Sequence, residues 1–228
     1  MGRQERRGRW EVKMFHTLHE LTDARVVATD GKIGRVCNVF FDDQSWKVRY
    51  FVVDLRGWKT RRYVVLPVSL VEATDWEKKI LRARASKEQV RQCPDLDSVR
   101  PVARQQEIAL RRYYHWPRRW EQVVGEFSIP YSPTGRDFPV YTKEDQHLRS
   151  ANNMDGYELW NKKYMIGRLD NFIVDDRSWV IRYLQAKTSD WLYRRSFLVA
   201  TASVESFSWA KHRVNLAPVS DSNRVLLQ

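Results

Sequence analysis

Cysteine is scarce in this sequence, and long apolar runs are missing from it. The two cysteines, Cys37 and Cys93, lie 56 positions apart and give neither a disulfide framework nor a metal-binding motif, as is typical of a reducing compartment. No segment approaches the roughly 20 apolar residues of a membrane-spanning helix, and no apolar stretch follows the amino terminus as in a secretory signal. Glycine-rich phosphate loops and nucleophile elbows are also missing. We therefore expect a cytoplasmic protein without a transmembrane helix, enzymatic activity, metal or cofactor.

The composition is that of a folded, basic protein. Of the 228 residues, 43% are hydrophobic and 13% aromatic, which is too apolar for a disordered chain and enough for one large or two small domains. The net charge is +12, and residues 1–120 account for +11 of it, with 26 basic and 15 acidic side chains. A surplus confined to one half predicts a one-sided positive field that suits an anionic partner. Charge alone leaves three partners open: RNA, an anionic membrane or an acidic patch on a protein.

The second half of the sequence repeats the first, with Ile33 aligned on Ile166. Between positions 33 and 78 the alignment needs no gap, and 17 of the 46 positions are identical. The chain is therefore a duplicated domain. The shared residues include Ile-Gly-Arg at 33–35 and 166–168, Asp-Asp-x-Ser-Trp at 42–46 and 175–179, and the pairs Trp58 with Trp191 and Trp76 with Trp209.

Each copy has the pattern of short β-strands. Val48, Tyr50 and Val52 lie on one face of the predicted strand, and Lys47 and Arg49 lie on the other, as in a strand that buries one face. About six short strands of this size close most readily into a small barrel, which removes exposed edges. The other candidate strands of the first copy are 25–29, 33–41, 63–66, 68–72 and 79–84.

The segment between the two copies has a different composition. Ser86 and Gln89 form a capping-box pattern for a short helix through Arg91, and residues 102–114 have the spacing of an amphipathic helix. From position 117 to about 146 the chain is rich in proline and aromatic residues, which predicts an extended linker on a surface. The predicted fold class is mainly β, with two small barrels joined by a short helical and Pro-rich linker. The predicted boundaries are a basic arm at 1–16, barrels at 17–85 and 148–218, a linker at 86–147 and a tail at 219–228.

The repeated phrases resemble a known module. Asp30-Gly31-Lys32-Ile33-Gly34-Arg35-Val36, the Asp-Asp-x-Ser-Trp turn and the apolar strand after it are similar to the PRC-barrel domain. The cytoplasmic part of the photosynthetic reaction-centre H subunit and a ribosome-maturation factor share this module. The closer resemblance is to bacterial proteins with two PRC barrels, whose inter-barrel segment is similar to residues 94–117 here. It covers about residues 17–217 and implies that both barrels are PRC-type.

The resemblance implies an interaction or scaffold subunit rather than an enzyme. By analogy with the H subunit, such a protein docks on the cytoplasmic face of a larger membrane protein complex and is peripheral on the inner membrane. We do not assign to this chain the proton-delivering role of the H subunit's carboxylates, because this chain is strongly basic. The alternative function is an RNA- or ribosome-associated assembly factor that uses the basic first half. No small-molecule substrate is inferred.

One segment interleaves arginine with aromatic residues and is the candidate partner-binding site. This combination suits RNA, through phosphate pairing and base stacking, and it equally suits a protein interface or a lipid headgroup layer. The structural alternative is a clamp that ties the linker to a barrel. The residues are Arg111, Arg112, Tyr113, Tyr114, Trp116, Arg118, Arg119 and Trp120.

Three other sets of residues have a structural interpretation that we prefer. The pairs Asp42-Asp43 and Asp175-Asp176 resemble acid–base carboxylates, but a turn between strands explains them. The repeated tryptophans would suit base stacking, but their equivalent positions favour packing. His16 and His19 have the spacing of two metal ligands on a helix, but no third ligand is close, so an exposed pair is expected.

A cysteine, two glycines and one altered strand also have structural interpretations. Cys37 alternates with apolar neighbours and is expected in the core. Gly34 and Gly167 are expected where backbones crowd at a strand start or barrel corner. In the second copy, Gln185-Ala186-Lys187 replaces an apolar stretch of the first, so we expect that strand to be less buried or to face a partner.

Overall fold

The chain folds mainly as β-strands, which form two sheets. The computed structural model describes residues 15–55, 62–93, 147–188, 195–217 and 225–227. No helix in these ranges is long and apolar enough to cross a membrane. Two short helices, α1 (Leu18–Leu21) and α2 (Lys87–Arg91), accompany the strands. The strands are β1 (Phe15–Thr17), β2 (Arg25–Ala28), β3 (Gly31–Asp42), β4 (Val48–Asp54), β5 (Tyr63–Pro67), β6 (Val71–Asp75), β7 (Ile80–Ala83), β8 (Leu148–Ser150), β9 (Glu158–Asn161), β10 (Tyr164–Asp175), β11 (Ile181–Lys187), β12 (Ser196–Ala200), β13 (Val204–Ser208), β14 (Arg213–Leu216) and β15 (Val225–Leu227).

The first sheet has the strand order β5-β4-β3-β2-β7-β6, and β8 pairs with the far end of β3. Its strands pair antiparallel except for β2 and β7, which are parallel. The largest buried side chains lie on β3 and β4, where Phe40, Phe41, Tyr50 and Phe51 are all 0% exposed. Burying one such ring contributes roughly 1.5–3 kcal/mol, so the core of this sheet is centred on that hairpin.

Six strands of the second sheet reproduce the first, element by element, and β15 pairs with β12 as an additional strand. Their order β13-β14-β9-β10-β11-β12 corresponds to β6-β7-β2-β3-β4-β5, and each strand begins and ends at the positions that the sequence repeat aligns with its counterpart. The register repeats as well, since Arg25 pairs with Arg35 and Glu158 pairs with Arg168. The turn conformation also repeats, with a φ of 57° at both Trp46 and Trp179. The repeat seen in the sequence is therefore a repeat of the whole sheet, and the predicted mainly β, two-barrel fold class is confirmed.

Each sheet receives a short strand from the segment that precedes the other copy. β1 comes before the first sheet in sequence, but it pairs with β10 of the second, with Phe15 opposite Asp175. β8 comes before the second sheet, but it pairs with β3 of the first, with Leu148 opposite Asp42. The sequence repeat aligns Phe15 with Leu148 and Asp42 with Asp175, so the exchange repeats too. The predicted boundaries near residues 17 and 148 did not anticipate it.

The exchange divides the described residues into two compact units. One holds 22–44, 48–55, 62–93 and 147–153, and the other holds 15–21, 45–47, 154–188, 195–217 and 225–227. The turn residues 45–47 belong with the second sheet because the Trp46 carbonyl accepts a hydrogen bond from the Ile181 N–H at 2.8 Å. The rest of the β3–β4 hairpin stays in the first unit.

A buried asparagine of β3 secures the incoming β8 segment. Asn38 Nδ2 donates to Ser150 Oγ at 2.9 Å, and Asn38 Oδ1 accepts from the N–H groups of Val39 at 2.8 Å and Asn152 at 3.4 Å. Asn38 is 6% exposed and Ser150 is 3% exposed. Since a buried polar group without a partner is costly, this network requires both Asn38 and the exchanged segment.

The second sheet has a buried asparagine at the equivalent position, which also binds an incoming segment. Asn171 Oδ1 accepts from the Phe172 N–H at 2.8 Å and from the His19 N–H at 3.3 Å. Asn171 is also buried. His19 follows β1, just as Asn152 follows β8, so one asparagine in each copy anchors the segment that arrives from elsewhere in the chain.

The two predicted crowded glycines lie where strands approach closely. A Cβ at Gly34 would overlap the backbone carbonyl of Asp54, and a Cβ at Gly167 would lie 2.5 Å from the Lys187 carbonyl oxygen. Both contacts are across the hairpin between the long strand and the strand that follows it. The prediction that these glycines relieve backbone crowding is confirmed.

The second sheet is less buried than the first at matched positions, as predicted. Val52 is fully buried, whereas Gln185 is half-buried and Lys187 is exposed. The inward-facing Ala186 remains 0% exposed. The substitutions therefore affect one face of β11 and leave its core face intact.

Two local predictions of the first copy can be compared with the structure. Ser86 caps α2 as predicted, because its side chain accepts from the Gln89 N–H and Gln89 returns the bond. The predicted strand at 68–72 is wrong, since Val68–Leu70 is a 3₁₀ turn and the strand begins at Val71. The Val71 N–H bonds to the Val68 carbonyl and tightens the chain directly after Pro67. The predicted helix at 102–114 lies outside the described residues.

Candidate interaction surface

Four cations lie on one face of the first sheet. Arg25 of β2 is directly opposite Arg35 of β3. In the next row Lys32 is opposite Val27, and Val27 is in turn opposite Arg82 of β7. Cross-strand partners and residues two apart share a face, so these side chains point to the same side. We call Arg25, Lys32, Arg35 and Arg82 the basic face.

Three members of the basic face have no ion pair within the described part of the chain, whereas Arg35 lies opposite Asp54 of β4. Arg25, Lys32 and Arg82 are exposed and form no ion pair there. Arg35 Nη1 donates to the backbone carbonyl of Asp23 at 2.8 Å, which is a neutral oxygen. Like charges directly opposite each other in a sheet are destabilising, so the Arg25–Arg35 pair is a local cost to the fold.

A carboxylate lies at the margin of the basic face. Asp75 of β6 is opposite Ile80, beside Arg82. The Lys78 backbone N–H, which donates to Asp75 Oδ1 at 2.9 Å, holds the pKa of Asp75 below its ordinary value, and the charges of Lys78 and Arg82 act in the same direction. Asp75 Oδ2 is also 3.3 Å from Lys78 Nζ. This carboxylate is therefore already engaged by Lys78 at the edge of the surface.

The second sheet shows that the same scaffold can neutralise these positions. The counterparts of Arg25, Lys32, Arg35 and Arg82 are, in order, Glu158, Met165, Arg168 and Asn215. Glu158 Oε1 accepts from Arg168 Nη2 at 3.1 Å, and Glu158 Oε2 accepts from Arg213 Nε at 3.1 Å. The four positions thus carry four positive charges in the first sheet and a net charge of zero in the second.

Aromatic contacts distinguish the second face further. The Arg213 guanidinium lies 4.1 Å from the centre of the Trp160 ring, and Trp160 Nε1 donates to Glu158 at 3.0 Å. This bond to Trp160, together with the bond from Arg213 and the charge of Arg168, lowers the pKa of Glu158. The charged groups of the second face therefore interact with one another, whereas Arg25, Lys32 and Arg82 of the first face form no ion pair within the described ranges.

A comparison with protein families bears on the first sheet. The family model of the PRC-barrel domain matches residues 14–90. Residues 14–90 are a PRC-barrel domain. A search among curated proteins gave no match. The matched range contains the whole basic face. Apart from β1, the second sheet, which repeats the PRC-barrel strand order and register, lies outside the matched range.

The partner site predicted from the sequence cannot be compared with the basic face. Its residues, Arg111, Arg112, Tyr113, Tyr114, Trp116, Arg118, Arg119 and Trp120, all lie outside the described residues. Sequence reasoning missed the basic face because its members are spread over positions 25–82. The charge count of the first half was a signal for it, but only the strand register brings the four side chains together.

The first aspartate of each predicted turn behaves as expected. Asp42 Oδ1 accepts from the Gln44 N–H at 3.2 Å. Asp175 Oδ1 accepts from the N–H groups of Arg177 at 2.9 Å and Ser178 at 3.0 Å. The Ser178 N–H is the main cause that lowers the pKa of Asp175, with the Arg177 N–H and the charge of Arg182 adding to it. The turn interpretation is confirmed for both residues.

The second aspartate of each turn contacts an exchanged segment, which the sequence did not reveal. Asp43 Oδ2 accepts from Arg149 Nε of β8 at 2.6 Å, and Asp43 Oδ1 lies 3.0 Å from His147 Nδ1. In the other unit, Asp176 Oδ2 lies 3.8 Å from His16 Nε2 of β1. These carboxylates help to hold the exchanged strands.

The histidine prediction needs a correction. His16 is 8% exposed, because β1 is paired in the second sheet, and its Nδ1 lies 2.9 Å from Glu20 Oε2. His19 is exposed on α1, so the two histidines do not share one helix face. Within the described ranges no group of three or more His, Cys, Asp and Glu side chains is placed to hold a metal ion.

The expected core position of Cys37 is also wrong. Cys37 is half-buried, and its Sγ lies 3.4 Å from the Val52 carbonyl oxygen. The pairing of β3 with β4 shifts register between Val36 and Asn38, which makes Cys37 the extra residue of a β-bulge. A bulged residue leaves the regular alternation of faces, so the alternation in the sequence misplaced it.

The repeated tryptophans pack against other rings where the structure describes them. Trp209 stacks on Phe207 with ring centres 4.7 Å apart, and Trp46 contacts Phe207 at 5.6 Å. Trp46, Trp76, Trp179 and Trp209 are all half-buried. This agrees with the packing interpretation for these four, while Trp58 and Trp191 lie outside the described residues.

Proposed function

We propose that this protein is a non-enzymatic docking subunit that binds the cytoplasmic face of a larger membrane protein complex through the basic face of its PRC-barrel. A PRC-barrel domain is a protein-interaction or scaffold module. The specific docking role is our proposal, by analogy with the reaction-centre H subunit. It implies a cytoplasmic protein that is peripheral on the inner membrane.

The observation that carries the proposal is the arginine pair of the first sheet. Arg25 opposite Arg35 costs stability, and the chain's own second copy has an ion pair, Glu158 with Arg168, at the same two positions. The fold therefore does not require like charges there. An external anionic partner would supply a counter-charge to Arg25, the member of the pair that has no carboxylate opposite it in the described strands. Arginine suits such a contact because its guanidinium is weakly hydrated.

The test is recovery of the partner from the native host. Tagged full-length protein is purified in mild detergent with and without RNase, and the bound proteins are identified by mass spectrometry. We expect a stoichiometric membrane protein complex that resists RNase. Ribosomal proteins that are lost on RNase treatment would overturn the proposal in favour of the RNA- or ribosome-associated alternative.

Matched charge variants locate the contact. Arg25→Glu/Arg82→Glu changes the net charge by the same amount as Lys162→Glu/Lys163→Glu, which alters the exposed turn between β9 and β10. We expect the first variant to lose the complex and the second to retain it. Equal recovery of the complex with both variants would contradict docking through the basic face.

A further inference from the structure

The two exchanged strands are not held equally well, although they occupy matched sites. The sequence repeat aligns β8, Leu148-Arg149-Ser150, with β1, Phe15-His16-Thr17. Each strand pairs antiparallel with the end of a long strand, β3 for β8 and β10 for β1. Leu148 is 2% exposed, whereas Phe15 is 41% exposed. The two sites can therefore be compared position by position.

The carboxylate at the β8 site is fully engaged by the incoming segment. Arg149 Nε donates to Asp43 Oδ2 at 2.6 Å, and His147 Nδ1 lies 3.0 Å from Asp43 Oδ1. Both carboxylate oxygens therefore have a partner on the segment that carries β8. Hydrogen bonds to charged groups are among the stronger ones in proteins, so Arg149 is a main anchor of this strand.

The matching carboxylate at the β1 site is poorly engaged. Asp176 and His16 take the positions of the aspartate and the arginine. His16 Nε2 lies 3.8 Å from Asp176 Oδ2, which is beyond hydrogen-bond distance, and His16 Nδ1 lies 2.9 Å from Glu20 Oε2 instead. Asp176 Oδ1 is buried and accepts no hydrogen bond within the described ranges. Met14 stands where the other segment has a histidine, and its side chain has no N–H or O–H to donate.

The buried asparagines show the same difference. Asn38 Nδ2 donates to Ser150 Oγ at 2.9 Å. Asn171, which is 7% exposed, accepts from two backbone N–H groups and bonds to no other side chain among the described residues. Thr17 Oγ1, the counterpart of Ser150 Oγ, donates to Glu20 Oε1 at 3.3 Å. The end of β10 thus offers a carboxylate oxygen and a buried amide for which β1 supplies no side-chain partner.

We infer that the end of β10 is a docking site for an extended peptide segment of a partner protein, with the pattern apolar residue, arginine, serine or threonine. The arginine pairs with Asp176 and the hydroxyl meets Asn171, as the matching residues of β8 pair in the first sheet. The segment replaces β1 beside β10, so main-chain hydrogen bonds add to its affinity and the two side chains give specificity.

The donor is a partner protein rather than a second copy of this chain. The chain's own segment of this pattern is β8, whose Leu148 and Ser150 are 2% and 3% exposed in the first sheet. A second copy would have to break the bonds of β8 in order to supply it. The site uses no residue of the basic face, so this inference goes beyond the proposed function and does not depend on it.

The experiment measures, by fluorescence anisotropy, the binding of a labelled peptide to the purified full-length protein. The peptide has the sequence of residues 146–153, which contains the β8 pattern, and a control peptide carries Arg149→Ala. Asp176→Asn is the test variant of the protein. Asp155→Asn, at an exposed position of the same unit, is the control with the same charge change. Amide exchange without peptide checks that each variant is folded.

We expect the arginine peptide to bind the wild-type protein, and the alanine peptide to bind roughly 10- to 100-fold more weakly, the range for a hydrogen bond to a charged group. Asp176→Asn should weaken the arginine peptide by about tenfold or more, and Asp155→Asn should leave its binding unchanged. His16→Ala should tighten binding roughly 3- to 10-fold, because a less firmly held β1 leaves the site open for a larger fraction of the time.

Amide exchange in the presence of the peptide locates the site. We expect faster exchange of the N–H groups of β1, with β8 unchanged. Release of β8 instead would overturn the inference, because the peptide would then occupy the first sheet. Equal binding of the two peptides, or no binding of the arginine peptide, would also refute it. Self-association of the chain without peptide, accompanied by faster exchange at β1, would rule out a partner protein as the donor.

Discussion

Replacing Asn38 with alanine should release the exchanged strand β8 from the first sheet. The variant removes the acceptor of the Val39 N–H at 2.8 Å and the partner of Ser150 Oγ at 2.9 Å. Each buried group left without a partner costs about 1–3 kcal/mol, so we expect a loss of roughly 2–4 kcal/mol in the free energy of unfolding. Asn171→Ala should cost less, because among the described residues its side chain accepts from two backbone N–H groups and bonds to no hydroxyl.

The assay is amide exchange read at the exchanged strands. The Ala151 N–H, which donates to the Val39 carbonyl at 2.9 Å, reports on the docking of β8. Losing the bonds to Ser150 and Asn152, worth about 1–3 kcal/mol together, should speed its exchange roughly 10- to 100-fold. Asn38→Ala should leave β1 protected, and Asn171→Ala should loosen β1 and leave β8 protected. Equal acceleration of both strands by either variant would refute this account of how the segments are held.

Three further predictions follow from the described contacts. Arg25→Glu, which copies the Glu158–Arg168 pairing, should raise Tm by about 1–2 °C in thermal unfolding, and a fall in Tm would show that the arginine pair is not a cost. Gly34→Ala should destabilise the first sheet by about 1–3 kcal/mol in urea unfolding because its Cβ meets the Asp54 carbonyl, and a neutral result would contradict the crowding. Because the folded pKa of Asp175 is lowered by the Ser178 N–H, its stabilisation is present above the ordinary value of 3.8 and is lost as pH falls through the lower folded value. Asp175→Asn should therefore flatten the fall in stability below about pH 4, and an unchanged acid profile would argue against that contribution.

The sequence predicted the parts of the fold that depend on local pattern. The alternation around Val48 and Tyr50, the capping box at Ser86 and the turn aspartates all act over a few residues, and the structure contains each of them. The duplication was equally visible, because a gapless alignment preserves the spacing of every element.

The strand exchange could not be predicted in the same way. β1 and β8 are very short, and each pairs with a strand more than 100 positions away. So short a segment has no periodicity from which a partner can be chosen. The available signal was Asn38 with Asn171, an identical polar residue that directly precedes three apolar residues in both strands.

The basic face also depends on long-range register. Arg25, Lys32 and Arg82 share a face because β2 lies between β3 and β7 and because the β2–β3 pairing shifts between Val26 and Val27. A shift of one residue would send a side chain to the opposite face. Composition could place the positive charge in the first half of the chain but could not say which side of the sheet carries it.

The exchanged strands also set an order of events during synthesis. β3 ends at Asp42 and its partner β8 begins at Leu148, so the whole of segment 43–147 must be translated before the two can pair. At about 5–20 residues per second, the end of β3 waits about 5–20 s for its last neighbour. Conversely, β1 is made first and pairs only after the second half has emerged. The first sheet is therefore complete on the ribosome only once residues 148–150 have emerged, and β1, although made first, stays unpaired until β10 has been made.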